Sequence, residues 1–89
     1  MNNKLTKAER EHLARVKSLP CSVCGQSAPS EAHHIKQHRQ YTCVALCDDC
    51  HRDHVNGWHG QKVMWHIMKM DDIDALNVTI ERLDNEREA

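Results

Sequence analysis

The sequence has no phenylalanine, two tryptophans and one tyrosine, so aromatic residues fill 3% of its 89 positions. Any hydrophobic core must be small and assembled from short aliphatic side chains and methionine. Glycine occurs three times and proline twice, which leaves no low-complexity linker, and no internal repeat divides the chain. A single domain over residues 1–89 follows. Long apolar runs are also missing: Val63-Met64-Trp65 is cut by His66 before Ile67-Met68, far short of the ~20 apolar residues that span a bilayer. No membrane partner is expected. The start Met1-Asn2-Asn3-Lys4-Leu5-Thr6 lacks the apolar stretch of a secretory leader, which points to a reducing, cytoplasmic location. Finally, strong charge of one sign is absent, the net value being -1, and this lends no support to a broadly basic nucleic-acid surface. The average conceals a gradient: residues 1–20 hold five bases against two acids, and residues 71–89 two bases against seven acids. Such polarity would turn the N-terminal half towards a polyanion, although charged helix faces commonly serve only solubility.

What the chain does have is punctuation. Thr6-Lys7-Ala8-Glu9 is a capping box and predicts a helix that carries Ala8, Leu13 and Val16 on one face until Pro20 ends it, within an N-terminal segment 1–20. Ala32–Lys36 and Cys43–Leu46 read as the strands of a short hairpin. Asp48 is placed to cap a helix through Cys50, His51 and His54 to about Asn56, with Gly57 as the stop. Knuckles, hairpin and helix fill segment 21–57. In segment 58–89, Val63, Met64, Ile67 and Met68 recur at helical spacing, Asp71 or Asp72 offers another cap, and Ile73, Leu76, Ile80 and Leu83 form the apolar face of an otherwise acidic helix. Trp65 belongs to the core, and Trp58 is suited either to the core or to stacking on a base. The expected fold class is therefore α+β and helix-rich.

The strongest local signal is Cys21-Ser22-Val23-Cys24 and Cys47-Asp48-Asp49-Cys50. At this spacing a tight turn brings two thiolates to one tetrahedral ion, and two such pairs complete a structural zinc site. The 22 residues between the pairs leave room for a hairpin. A thioredoxin-like redox pair would need an alternating strand and helix pattern that this chain is too short to supply. Cys43 is left over, near enough to Cys47 by strand alternation to serve as a substitute ligand, and otherwise a small buried hydrophobe.

A structural zinc site needs only its thiolates, yet six of the eight histidines fall between residues 33 and 59. Pinning Cys24 and Cys47 to one ion presses the hairpin against the helix beside Cys50, so that His33, His34, His51 and His54 approach one another. Two imidazoles could then hold a second metal while a third activates water. Cys-x-x-Cys followed by Ala-His-His-Ile and Leu-Cys-x-x-Cys-His resembles the zinc-stapled branch of the HNH, or ββα-metal, endonucleases. Gly57-Trp58-His59-Gly60 is similar to a segment of the phage recombination-enhancement nucleases. The likeness covers residues 21 to about 70 and departs from the common pattern at His33, where Asp is usual, and at Thr42, where Asn is usual.

The resemblance implies a small zinc-stabilised ββα-metal domain with flanking helices that cuts DNA, single- or double-stranded, in phage or prophage recombination inside a bacterial host cell. It implies His34 as general base, His33 and His51 as ligands of a catalytic divalent metal, His59 as a further site residue, and a RecA-type recombinase filament as partner. His54 is a further candidate from its place beside His51. Imidazole ligands favour manganese, nickel, cobalt or zinc over magnesium. Lys36, His38, Arg39 and Arg52 are available for phosphates. The rival readings are a noncatalytic zinc module that binds nucleic acid or protein, and a nuclease-derived fold kept as a structural or inhibitory protein.

Overall fold

Thr6 opens the first helix as the sequence predicts. Its hydroxyl accepts from the Glu9 N–H at 3.0 Å, and the Glu9 carboxylate accepts from the Thr6 N–H at 2.8 Å. The computed structural model describes residues 4–88, with side chains through residue 86; Met1–Asn3, where the leader was sought, and Ala89 lie outside the described residues. From Thr6 the chain runs α1 (Lys7–Lys17), β1 (Glu31–His34), β2 (Cys43–Leu46), α2 (Asp48–Arg52), α3 (Val63–Ile67) and α4 (Asp72–Glu88). The α+β class holds, and no helix among the described residues is long and apolar enough to cross a membrane.

The two strands pair antiparallel in the register Glu31 to Leu46, Ala32 to Ala45, His33 to Val44 and His34 to Cys43. Alternation along a strand then gives the hairpin two unlike faces. Val44 and Leu46 point into a core that also holds Cys21, Val23, Cys47, Cys50, Trp65 and Ala75. Ala45 points the other way, against Val16, Leu19 and Leu83 from α1 and α4. Leu19, Cys21, Val44, Leu46 and Trp65 are all buried, so even this thin set of apolar side chains is split by a sheet of two strands.

Helix α4 begins on a second reciprocal cap, the Asp74 N–H donating to Asp71 at 2.8 Å and the Asp71 N–H to Asp74 at 3.0 Å. Of the expected set Ile73, Leu76, Ile80 and Leu83, Leu83 is buried and Leu76 packs half-buried against the core, while Ile73 is 59% and Ile80 43% exposed and Ala75 and Thr79 are buried in their place. The cause is the partner: α4 lies along the outer edge of β2, where close approach of backbone admits only small side chains. Thr79 Oγ1 accepts from the Ala45 N–H at 3.3 Å, shares a 2.7 Å hydrogen bond with Ser22 Oγ and donates to the Ala75 carbonyl at 2.9 Å. The Ser22 N–H donates to the Ala45 carbonyl at 2.9 Å. The unpaired edge of β2 is thereby closed by a hydroxyl and a turn. Arg82 holds the same turn, donating to the Pro20 and Cys21 carbonyls at 3.2 and 3.1 Å.

Other elements differ from the sequence reading in extent. In α1, Val16 is buried but Ala8 is exposed, and His12 and Leu13 are half-buried. Strand β1 starts one residue early and stops at His34, with one further bond from the Ile35 N–H to the Thr42 carbonyl at 3.1 Å. Helix α2 ends at Arg52, not Asn56, and its cap is Cys47: a sulfur, not the Asp48 carboxylate, faces the Cys50 N–H at 3.5 Å. In α3 the centre of the buried face is Trp65, with Ile67 64% and Met68 47% exposed, because the Trp65 indole N–H donates to the Cys50 carbonyl at 2.8 Å and draws that face inward.

Replacing Thr79 by valine keeps the volume and removes the shared acceptor, leaving the Ala45 N–H and the Ser22 hydroxyl buried without it. We expect a loss of about 1–3 kcal/mol in urea unfolding at fixed zinc. The loss should be smaller when Ser22→Ala is already present, since the two side chains interact directly.

Candidate metal centres

The first knuckle leaves α1 through Pro20 and the second opens α2, and Ser22 and Val44 to Leu46 hold them together. The Sγ atoms of Cys21, Cys24, Cys47 and Cys50 all lie within 4.8 Å of one another, Cys24 and Cys47 being 3.6 Å apart, and none of the five cysteines is in a disulfide. Burial raises the Cys47 thiol to about 11 and pushes Cys50 up as well. Cys21 runs the other way: burial favours the thiol there too, but N–H groups of Cys24, Cys47 and Val23 directed at the sulfur outweigh it. Four convergent sulfurs in a protein interior are costly to ionise together unless a dication lies among them, and a dication reverses that cost. The donor set suits zinc. Cys43 stands apart, buried, its sulfur 3.9 Å from the Arg39 carbonyl and its thiol raised by burial to about 11.

A second cluster forms beside the first. One nitrogen from each of His33, His51 and His59 lies within 4.8 Å of the others, and the ring centroids are 5.0–5.3 Å apart. His33 reaches it from the core face of β1 and His51 from the helix that Cys47 caps. His59 arrives on the loop after α2. That loop folds back so that Trp58 N–H donates to the Cys50 carbonyl at 2.9 Å and His59 N–H to the His51 carbonyl at 3.3 Å. Glycine is required for this return: a Cβ on Gly57 would stand 2.6 Å from the Asp53 nitrogen, and one on Gly60 would stand 2.6 Å from the Asp53 carbonyl and closer still to that of His54.

The chemistry of the triad suits a cation. His33 is buried, and its Nε2 has no hydrogen-bond partner, a condition that costs about 1–3 kcal/mol when nothing occupies the space beside it. Burial, reinforced by the charges of His51, His59 and His34, lowers its pKa to about 4, so it is the neutral imidazole that a metal requires. His51 donates from Nδ1 to Glu31 Oε1 at 2.7 Å, so in the neutral ring the lone pair is on Nε2. Glu31 is itself gripped by Arg52, through Nε at 3.1 Å and through the second guanidinium nitrogen. These bonds hold its carboxyl below the usual carboxylate range, the Arg52 hydrogen bond contributing most. A carboxylate behind a histidine fixes tautomer and ring orientation at metal sites.

The remaining sequence candidates are distributed as follows. His34, one residue beyond His33, lies on the opposite face of β1 and forms a 2.8 Å hydrogen bond between Nε2 and Gln40 Oε1. His54 is exposed and does not join the triad, because α2 has already ended and no helical turn places it above His51. Arg52 is engaged by Glu31 and by Asp48 at 3.3 Å, so it orients the triad's carboxylate. Lys36, His38 and Arg39 are exposed on the hairpin turn, and Thr42 Oγ1 closes that turn by donating to the Arg39 carbonyl at 3.2 Å. Trp58 is half-buried, 4.7 Å from Trp65 and 6.0 Å from His33 between ring centroids, with the Lys62 ammonium 3.8 Å above it.

Glu31 escaped the sequence reading although a signal was present: it stands two residues before His33, hence on the same face of the strand. Gln40 carried no such signal, since its partner is set by the path of a turn. No protein-family model, curated protein or solved structure matches this chain.

Two outcomes are expected of metal chemistry. Stripping zinc with a strong chelator should abolish the folded circular dichroism signal, and Cys43→Ser should leave one tightly bound zinc by native mass spectrometry where Cys50→Ser does not. Glu31→Gln should weaken a second ion, followed by cobalt absorption in the zinc-loaded protein, by about 10–100-fold while the thiolate site remains filled.

Proposed function

We propose that this chain is a metal-dependent phosphodiesterase that cuts DNA, an endonuclease of the ββα-metal kind. The observation that carries the reading is the convergence of His33, His51 and His59, with an unpartnered His33 Nε2 in the interior, beside a further imidazole on the next residue of the same strand. Hydrolysis of a phosphodiester needs a water stripped of its proton, neutralisation of the phosphoryl oxygens and stabilisation of the leaving oxygen. A divalent ion held by His33, His51 and His59 would supply the last two.

The first is assigned to His34 by the resemblance of its motif: the side chain leaves the last residue of β1 on the face opposite the triad, so a scissile phosphate served by both would lie across the end of that strand. Gln40 Oε1 accepts from His34 Nε2, so in the neutral ring the proton sits on Nε2 and the lone pair on Nδ1, where it can take the proton of an attacking water. Glu31 and Arg52 keep His51 in its ligating tautomer throughout. Three imidazoles favour manganese, nickel, cobalt or zinc over magnesium in that position. By the resemblance of its motifs, the setting would be phage recombination, with a recombinase filament as the natural partner.

The test is cleavage of supercoiled and single-stranded DNA by the zinc-loaded protein with added manganese or magnesium, compared with His34→Ala of equal zinc content. We expect cutting that is stronger with manganese, and a loss of about 100-fold or more in the variant. Equal cutting by the variant would remove His34 from the mechanism. Absence of cutting by both, with a second ion demonstrably bound, would favour a noncatalytic zinc module.

A further inference from the structure

His34 opens into a cleft of about 510 Å³ whose other walls are Leu5 and Leu13 on the α1 side and Gln37, His38 and Gln40 on the hairpin turn. Of its lining, the reaction described above uses only His34 and Gln40. Its volume lies in the range of small-ligand sites, and its lining is specific in kind: two leucines face amide and imidazole groups, and no lysine, arginine or carboxylate is among them. A phosphate would call for guanidinium or ammonium donors. A flat, neutral heterocycle, apolar on its faces and polar on its edge, fits such walls, and a glutamine amide, here that of Gln37, is a side chain that reads an adenine-type edge.

The cleft does not end there. His38 and Gln40 also border a second one, of about 250 Å³, whose other walls are Arg39, Tyr41, Thr42 and Glu9, the last with its carboxylate turned to the Thr6 N–H. Tyr41 is 53% exposed, one side of its ring resting on His12 with centroids 4.9 Å apart. An exposed aromatic ring beside an arginine is the combination that stacks a base and holds its phosphate. The turn that joins the two clefts is drawn tight by His38, whose φ is 69°.

We propose that α1 and the hairpin turn form a track for single-stranded DNA leading to His34, with an unpaired base in the leucine and glutamine cleft and the adjoining nucleotide on Tyr41 and Arg39. A paired base has its hydrogen-bonding edge covered and both faces stacked, so only an unpaired one can enter such a cleft. This inference rests on the phosphodiesterase reading for its direction, since His34, the base of that reading, lines the cleft, and it narrows the substrate from DNA to unpaired DNA.

The experiment measures binding without cutting. Fluorescence anisotropy of a labelled single strand of about 12 nucleotides is followed with the zinc-loaded full chain and no added divalent metal, against a duplex of the same sequence. The single strand should bind at least ~10-fold more tightly than the duplex, and Tyr41→Ala and Gln37→Ala should each weaken it by about fivefold or more. Both side chains are exposed, and equal zinc content verifies the fold of each variant. Equal affinity for duplex and single strand, or unaltered affinity in both variants, overturns the track. Cleavage of duplex DNA that depends on His34, without a single-strand preference, overturns it too and leaves the nuclease standing. Preferential single-strand binding that both variants lose, with no cutting under any metal, upholds the track and defeats the nuclease reading.

Discussion

Two thiol pairs separated by 22 residues must meet with all sulfurs within 4.8 Å, and nearly every other contact in the molecule is arranged around that meeting. The pairs lie at the entrance to the hairpin and at its exit, so joining them closes a loop whose ends the thin apolar core could not hold alone. A chain without phenylalanine has little surface to bury. Here the sulfurs themselves are core residues, surrounded by Val23, Val44, Leu46, Trp65 and Ala75. The carbonyl of Cys50 accepts from both the Trp58 backbone and the Trp65 indole, and through it the knuckle also fixes the loop that bears His59. One constraint thus positions the structural site and, one helical residue later, the histidine triad.

Strand β1 then divides the chemistry. Its period of two sends Glu31 and His33 to the face of α2 and sends Ala32 and His34 to the face of α1. His33 and His34 are adjacent in sequence and lie on opposite faces of the strand. The arrangement also separates their surroundings: His33 is itself buried beside the rings of His51, Trp58 and His59, with its proton affinity depressed, whereas His34 meets an amide at the edge of an open cleft. Arg52 belongs to the first environment, held by Glu31 and Asp48, while Arg39 and Tyr41 belong to the second. A phosphate-binding role inferred from charge alone would have treated the two arginines alike.

Much of this was legible along the chain because it depends on neighbours in sequence. The Thr6 and Glu9 cap, the start of β2 at Cys43 and the two Cys-x-x-Cys pairs follow from spacings of a few residues, and the approach of His33 to His51 follows once those pairs, 22 residues apart, are brought together. The errors occur where a distant element decides. Thr79 is buried because β2 has an open edge that needs an acceptor, and Ile73 and Ile80 are exposed because that edge leaves no room for them. His54 and His59 looked equivalent until the end of α2 at Arg52 and the return of the Gly57 loop drew in one and excluded the other. Trp58 was open between core and base stacking, and the half-buried ring between Trp65 and Lys62 is settled by the same loop.

By itself the sequence determined the donor types and their local spacing: thiols in pairs, imidazoles in excess, capping residues at the helix starts, and too few large apolar side chains to fold without help. Those are properties of one or two turns of chain, where backbone geometry leaves few alternatives. Only the tertiary structure decided which imidazoles converge, that Glu31 and not a solvent water faces His51, that Arg52 is bound to an acid, and that a cleft opens beside His34. Each of these depends on how elements dozens of residues apart approach one another, and that approach is set by the shape of the whole core.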